Sequence, residues 1–261
     1  MQPHDRLREA IFRCGNSGRP AIVAFVTAGY PRRELFRAQL ADIAGEADAV
    51  EIGVPFTDPM ADGLTIQRSS RKALEAGVRL PWILAELEAM NMPPAAPLLL
   101  MSYLNPLLAF GFEAFTQHAA RVGISAVIVP DLPHEESEPL RAALDAQGIG
   151  LVQLVTPVTP PERLAMLCQA SRGFVYAVTS AGTTGGGRGL PADVTTYLDR
   201  VRAVSPLPVC TGFGIRSADQ VAALALHADG IVVGSALVEV LEAGGDPVAF
   251  LRSLRPACAL T

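Results

Sequence analysis

One carboxylate interrupts the apolar run Val50-Glu51-Ile52-Gly53. The run leads into Val54-Pro55-Phe56-Thr57-Asp58-Pro59-Met60-Ala61-Asp62-Gly63, which adds two more. A charge inside a buried strand costs on the order of several kcal/mol unless it is paired or put to use. Glu51 therefore reads as a proton-transfer group. Asp58 before Pro59 and Asp62 before Gly63 also suit ordinary turns. For Asp58 the turn reading stands level with the functional one.

Two further segments, Thr211-Gly212-Phe213-Gly214 and Val233-Gly234-Ser235, each close a short apolar run. Glycine lets an anion approach backbone N–H groups, and Ser235 opens a helical pattern whose N-terminal end is electropositive. Each is weak alone; together, Gly214, Gly234 and Ser235 point to a phosphate. The stretch Ser180-Ala181-Gly182-Thr183-Thr184-Gly185-Gly186-Gly187-Arg188-Gly189 reads as a lid or a disordered connection, and its length favours the lid.

Other chemistries lack their residues. The single lysine, Lys72, falls on a helical stretch after the Glu51 run, so a Schiff-base aldolase is not expected. His4, His118, His134 and His227 are scattered, which argues against a histidine metal site. What remains is cofactor-free proton transfer by carboxylates on a phosphorylated small molecule.

These residues need a frame. Continuous apolar runs at 21–27, 49–52, 97–102, 126–129, 150–155, 174–178, 208–211 and 230–233 read as strands covered on both faces. Helical patterns at 6–14, 34–44, 113–122, 135–146, 161–170, 217–226 and 235–243 are among those around them. Ser217 and the Pro160-Pro161-Glu162 start mark helix beginnings. Eight strands, each followed by helix, close most economically as an α/β (β/α)₈ TIM barrel with an extra N-terminal helix. An open doubly wound sheet is the runner-up, but Ala28-Gly29-Tyr30-Pro31, not GxGxxG, follows the first strand. In the barrel reading, Glu51, the Asp62 loop and the glycine pairs all fall at the carboxyl ends of strands, where such barrels build their sites.

The 261 residues, half of them hydrophobic, suit a single domain over 1–261. The net charge of -5 and the lack of any basic run make nucleic acid an unexpected partner. Cys14, Cys168, Cys210 and Cys258 show neither close pairing nor metal spacing, as in a reduced cytoplasmic protein. The start Met1-Gln2-Pro3-His4-Asp5 lacks a signal-peptide pattern, and Asn105 and Pro106 break the longest apolar stretch, so no membrane association is expected.

The run from Val50 through Gly63 to Leu64-Thr65-Ile66-Gln67 closely resembles the signature of the tryptophan synthase α-subunit family. The similarity extends nearly end to end through Phe25-Val26-Thr27-Ala28-Gly29, Met101-Ser102-Tyr103-Leu104-Asn105-Pro106, Pro130-Asp131-Leu132-Pro133, Gly173-Phe174-Val175-Tyr176, Gly212-Phe213-Gly214-Ile215 and Gly234-Ser235-Ala236. It implies a retro-aldol cleavage, without cofactor or metal, of indole-3-glycerol phosphate to indole and glyceraldehyde 3-phosphate. Glu51 would take the glycerol hydroxyl proton and deliver one to indole C3, and Asp62 would face the indole N–H. Phe25, Tyr103, Tyr176 and Phe213 would line the indole pocket; Gly185, Gly214, Gly234 and Ser235 would hold the phosphate. Thr184 would meet Asp62 when the lid closes, although Gly182-Thr183-Thr184-Gly185 stands where the family usually has Gly-Val-Thr-Gly. The loops around Asp58 and Asn105-Pro106 would meet a tryptophan synthase β subunit in an α2β2 heterotetramer. The alternatives are a stand-alone indole-3-glycerol phosphate lyase, a cofactor-free sugar-phosphate isomerase, and an inactive barrel that only activates a partner.

Overall fold

The computed structural model describes residues 1–16, 19–90, 94–178, 193–212 and 214–255. Eight strands form within them: β1 (Ala21–Thr27), β2 (Ala49–Gly53), β3 (Leu98–Met101), β4 (Ile124–Ile128), β5 (Gly150–Val155), β6 (Val175–Val178), β7 (Val209–Gly212) and β8 (Gly230–Val233). They pair in parallel in chain order, and β8 returns to β1 to close the barrel. The helices are α1 (Pro3–Asn16), α2 (Phe36–Glu46), α3 (Leu64–Glu75), α4 (Leu80–Glu88), α5 (Leu104–Phe110), α6 (Phe112–Arg121), α7 (Glu138–Asp145), α8 (Pro161–Ala170), α9 (Val194–Val204), α10 (Ala218–Leu224), α11 (Ser235–Glu242) and α12 (Pro247–Ser253).

Both strand faces are buried, which explains why the strands read as unbroken apolar runs. Ile22, Ala24, Val26, Val50, Ile52, Leu98 and Leu100 belong to the layer beneath the helices. Val23, Phe25, Ala49, Leu99, Ala126, Ile128, Val152, Cys210 and Val232 belong to a separate cluster in the lumen. Leu7 and Ile11 of α1 join that cluster and are fully buried, so the extra helix plugs the barrel. Nearby, Arg19 grips Asp48 through two hydrogen bonds of 2.8 and 3.0 Å, while Ile22 N–H donates to the same carboxylate. Burial opposes the Asp48 charge, but Arg19, the Ile22 amide and Arg255 outweigh it and hold the group at about 2.

Three of the expected strands have the observed limits and five differ by one or two residues at an end. The largest shift is in β4, which starts at Ile124 because the β3–β4 register slips around buried Ser125. The helix expected over 135–146 begins later: a 3₁₀ turn, His134–Glu136, precedes α7, whose first turn carries Pro139. A similar turn, Arg33–Leu35, precedes α2. Ser217 caps α10, its side chain accepting from Gln220 N–H at 3.4 Å. The helices α4 and α9, which the pattern reading did not single out, carry its signal plainly: Leu80, Ile83, Leu84 and Leu87 in one, Val194, Tyr197, Leu198 and Val201 in the other, all buried.

Gly53 at the end of β2 makes room in the lumen, since a β-carbon there would lie 2.5 Å from the Phe25 ring. Phe25 is only 6% exposed and has little space to retreat. Gly53→Ala is therefore expected to cost about 1–3 kcal/mol of stability, the usual range for overpacking. A urea melt indistinguishable from that of the parent chain would contradict this account.

Candidate active site

Glu51 sits in β2 at the level of Phe25 on one side and Leu99 on the other. It is 1% exposed, and its Oε2 has no hydrogen-bond partner among the described residues. Burial, with the Asp62 charge second, pushes its pKa to about 8. At neutral pH, then, Glu51 is mainly a neutral acid.

Asp62 reaches the site from the loop between β2 and α3, which is fastened at several points. Val54 N–H donates to Met101 O at 2.8 Å, and Ala61 N–H donates to the Tyr103 hydroxyl at 3.0 Å. Phe56 stacks on the Tyr103 ring with centroids 5.0 Å apart. Asp62 N–H donates to Pro59 O at 3.1 Å, and Gln67 Nε2 donates to Asp62 O at 2.8 Å. Asp62 as a whole is 8% exposed. Burial raises it to about 6, and the Tyr103 hydroxyl draws it partly back. The two acids are thus set apart: at pH 7, Glu51 keeps its proton while Asp62 is ionised.

Tyr103 stands just before α5. That helix starts where Leu104 N–H donates to Asp131 Oδ1 at 2.9 Å, so the β4 loop also supports the position of Tyr103. Tyr176, in β6, is half-buried. Burial raises its phenol, and Glu51, Cys210 and Asp62 add to the effect in that order. Both carboxyl groups, when ionised, therefore act on Tyr176. Gly212 leaves space for the Tyr176 ring, since an added β-carbon would meet Tyr176 Oη at 3.0 Å; at Gly234 it would make only ordinary contact with Phe25 at 3.5 Å.

The candidate anion seat consists of backbone groups. Gly234 follows β8 and leads into α11, whose first intrahelical bond runs from Val238 N–H to Gly234 O at 3.0 Å. The N–H groups of the first turn precede that bond, and no side chain caps this helix start. Gly214 is exposed and has a φ of 66°, a conformation that suits glycine. Phe213, Thr184 and Gly185 lie outside the described residues, as does the whole stretch 179–192.

The remaining candidates fall away from the carboxyl pair. Asp58 is exposed and bonded within its own turn, accepting from Thr57 Oγ1 at 2.5 Å, in keeping with its turn reading. Lys72 lies on α3 and pairs with Glu242 at 3.3 Å. His134 lines a cavity of about 350 Å³ with Asp131, Gln153 and Thr159, beside β4 and β5. Sequence reasoning missed Phe56, Gln67 and Asp131 as supports. Of these, only Phe56 and Gln67 lay within the carboxylate signature.

Fold and site together define a (β/α)₈-barrel protein with a buried acid, a neighbouring carboxylate and an uncapped helix start at one mouth. The family model described as "Tryptophan synthase alpha chain" matches residues 12–253. The chain is 43% identical over 250 residues to the tryptophan synthase alpha chain of Nitratidesulfovibrio vulgaris, covering 95% of this chain and 97% of that one. It is 44% identical over 248 residues to that of Desulfovibrio desulfuricans, covering 94% and 97%. Among solved structures, a Mycobacterium tuberculosis tryptophan synthase chain aligns with a TM-score of 0.88 at 37% identity, covering 95% of this chain and 96% of that one. The Legionella pneumophila subunit alpha aligns with a TM-score of 0.86 at 30% identity, covering 98% and 97%. This chain belongs to the tryptophan synthase alpha chain family.

The raised Glu51 pKa has a stability consequence. In the folded chain Glu51 holds its proton up to about pH 8, whereas in the unfolded chain it releases it near the ordinary value of 4.5. The unfolded state then binds fewer protons, so this group lowers stability as pH rises from about 4.5 to 8. Glu51→Gln removes that dependence and should stabilise the fold, by on the order of 1–3 kcal/mol at pH 8 and by little at pH 5. Thermal melts at both pH values test this; a variant less stable than the parent at pH 8 would refute it.

Proposed function

We propose that Glu51 and Asp62 carry out the lyase reaction of this family, the cleavage of indole-3-glycerol phosphate to indole and glyceraldehyde 3-phosphate. The supporting observation is the divided pair, a protonated Glu51 beside an ionised Asp62. Protonated Glu51 delivers its proton to indole C3, and the Asp62 carboxylate stabilises the positive charge that develops at the ring N–H. The Glu51 carboxylate so formed takes the glycerol hydroxyl proton, the C–C bond breaks, and its electron pair returns to the indole ring. No net proton is gained or lost, and Glu51 ends as it began.

Phe25, Tyr103 and Tyr176 flank the indole in this reading, with Phe213 completing the pocket from outside the described residues. Gly214, Gly234 and Ser235 hold the phosphate through backbone N–H groups, and Gly185 and Thr184 complete the site from the glycine-rich stretch. As an alpha chain the protein acts in tryptophan biosynthesis with a β subunit. The exposed Met60, Leu64 and Leu108 near the mouth suit contact with that partner. The whole chain, 1–261, acts as one barrel domain. A cytoplasmic location fits a biosynthetic family, and the described residues hold no helix long and apolar enough to cross a membrane.

The divided pair sets the pH dependence. Cleavage requires Asp62 ionised and Glu51 protonated, so kcat/KM should follow a bell with apparent limbs near 6 and 8, values that belong to the pair. Asp62→Asn should abolish the acid limb, and Glu51→Gln should lower the rate at least ~10²-fold. A flat profile from pH 5 to 9, or near-full activity in folded Glu51→Gln, would remove Glu51 from the reaction.

The phosphate seat is tested separately. Gly234→Asp puts a negative charge at the helix start, so substrate affinity should collapse while the fold survives. An unchanged KM would place the phosphate elsewhere.

A further inference from the structure

Three segments on which the proposed site depends meet at one side chain outside it. Glu239, in the second turn of α11, accepts through Oε1 from Thr65 Oγ1 at 3.1 Å and from Arg216 Nη2 at 3.1 Å. Its Oε2 accepts from Arg216 Nη1 at 2.7 Å. Thr65 lies in the first turn of α3, shortly after Asp62; Arg216 follows Gly214; and Glu239 lies one turn beyond Ser235. One turn on, Glu242 accepts from Arg68 Nε and Nη2 at 3.2 and 2.6 Å and from Lys72 Nζ at 3.3 Å. Thr65, Arg68 and Lys72 recur at helical spacing along one face of α3, so α3 and α11 are fastened side by side.

A solvated ion pair contributes little to global stability, and the Arg216 and Glu239 side chains are 55% and 37% exposed. Geometry distinguishes this one. The Arg216 fork is bidentate, which fixes orientation as well as distance. Its own backbone is held too, Arg216 N–H donating to Gln220 Oε1 at 2.8 Å. Both Glu239 oxygens are used, and their donors come from the two segments that carry Asp62 and Gly214.

We propose that Glu239 is a positioning residue that sets the Gly214 loop and the start of α3 against the N-terminus of α11, and so sets affinity for the substrate phosphate. The proposal rests on the phosphate seat assigned above. The experiment uses the chain in complex with its β subunit and reads indole-3-glycerol phosphate cleavage together with inhibition by inorganic phosphate. Glu239→Ala should raise KM and the phosphate inhibition constant roughly fivefold or more, with kcat changed less than about twofold. The melting temperature should stay within a few degrees of the parent. Glu239→Gln keeps a side-chain oxygen for Thr65 and Arg216 and should retain most of the affinity. Arg216→Ala, which leaves the Thr65 contact in place, should show part of the Glu239→Ala effect, and the double variant should be no worse than Glu239→Ala, because the Arg216–Glu239 contact is shared. Unchanged phosphate inhibition in Glu239→Ala, or additive losses in the double variant, would overturn the proposal. Gly234→Asp separates the two ideas. If it abolishes phosphate inhibition while Glu239→Ala has no effect, the seat stands and the positioning role falls. If it leaves inhibition unchanged, the phosphate lies elsewhere and the role of Glu239 falls with it.

Discussion

A glutamate with 1% exposure in an apolar barrel governs how the rest of the site must be arranged. Parallel strands buried on both faces leave little polar surface in the lumen, so Glu51 cannot be solvated as an ordinary glutamate is. It is neutral because the environment makes charge expensive, and that neutrality makes it a proton donor at pH 7. The nearby Asp62 reinforces the effect, since two negative charges in one poorly solvated space are costlier than one. Desolvation thus separates two chemically similar groups into one that is protonated and one that is ionised at pH 7.

The separation depends on holding Asp62 near Glu51 on a loop, an element with more freedom than a strand. The chain restricts that freedom with Tyr103. Its hydroxyl takes the Ala61 N–H, its ring stacks on Phe56, and the same hydroxyl moderates the Asp62 pKa. Tyr103 in turn precedes a helix whose first amide is bonded to Asp131 on the next loop. Placement therefore passes between adjacent strand ends, each loop supported by its neighbour. A barrel mouth suits this arrangement because successive strands lie side by side around a closed ring.

Much of the fold was legible because strand burial on both faces leaves a strong mark, the uninterrupted apolar run. Glu51 stood out against that mark. Strand limits were less legible where a register slip moved the start, as at Ser125, and helix limits where a proline reset the first turn, as at Pro139. The carboxylate signature located the loop but not its fastening: the bonds from Gln67 to the Asp62 carbonyl and from Leu104 to Asp131 join residues whose types are common and whose meeting depends on the closed barrel. The Thr65–Glu239 contact was hidden for the same reason, because the two residues lie 174 positions apart in the chain. Helical spacing marks each face separately; nothing in that spacing pairs one face with the other.

The phosphate seat proposed above uses backbone groups alone, which is compatible with the acid beside it. A lysine or arginine placed in the lumen would bind phosphate strongly, yet its full charge would pull Glu51 back towards the ordinary carboxylate range. The causes that shift Glu51 are burial and Asp62, both upward, with no cation among the described residues opposing them. The basic groups near α11 are instead turned to carboxylates outside the barrel, Arg216 to Glu239 and Arg68 and Lys72 to Glu242. A helix start offers only a partial positive charge, strongest within its first turn. It can attract an anion at close range and disturb an acid deeper in the lumen far less than a full charge would. A glycine just after β8 with a helix start behind it would thus hold a phosphate, as proposed above, without ionising the acid proposed to protonate the ring.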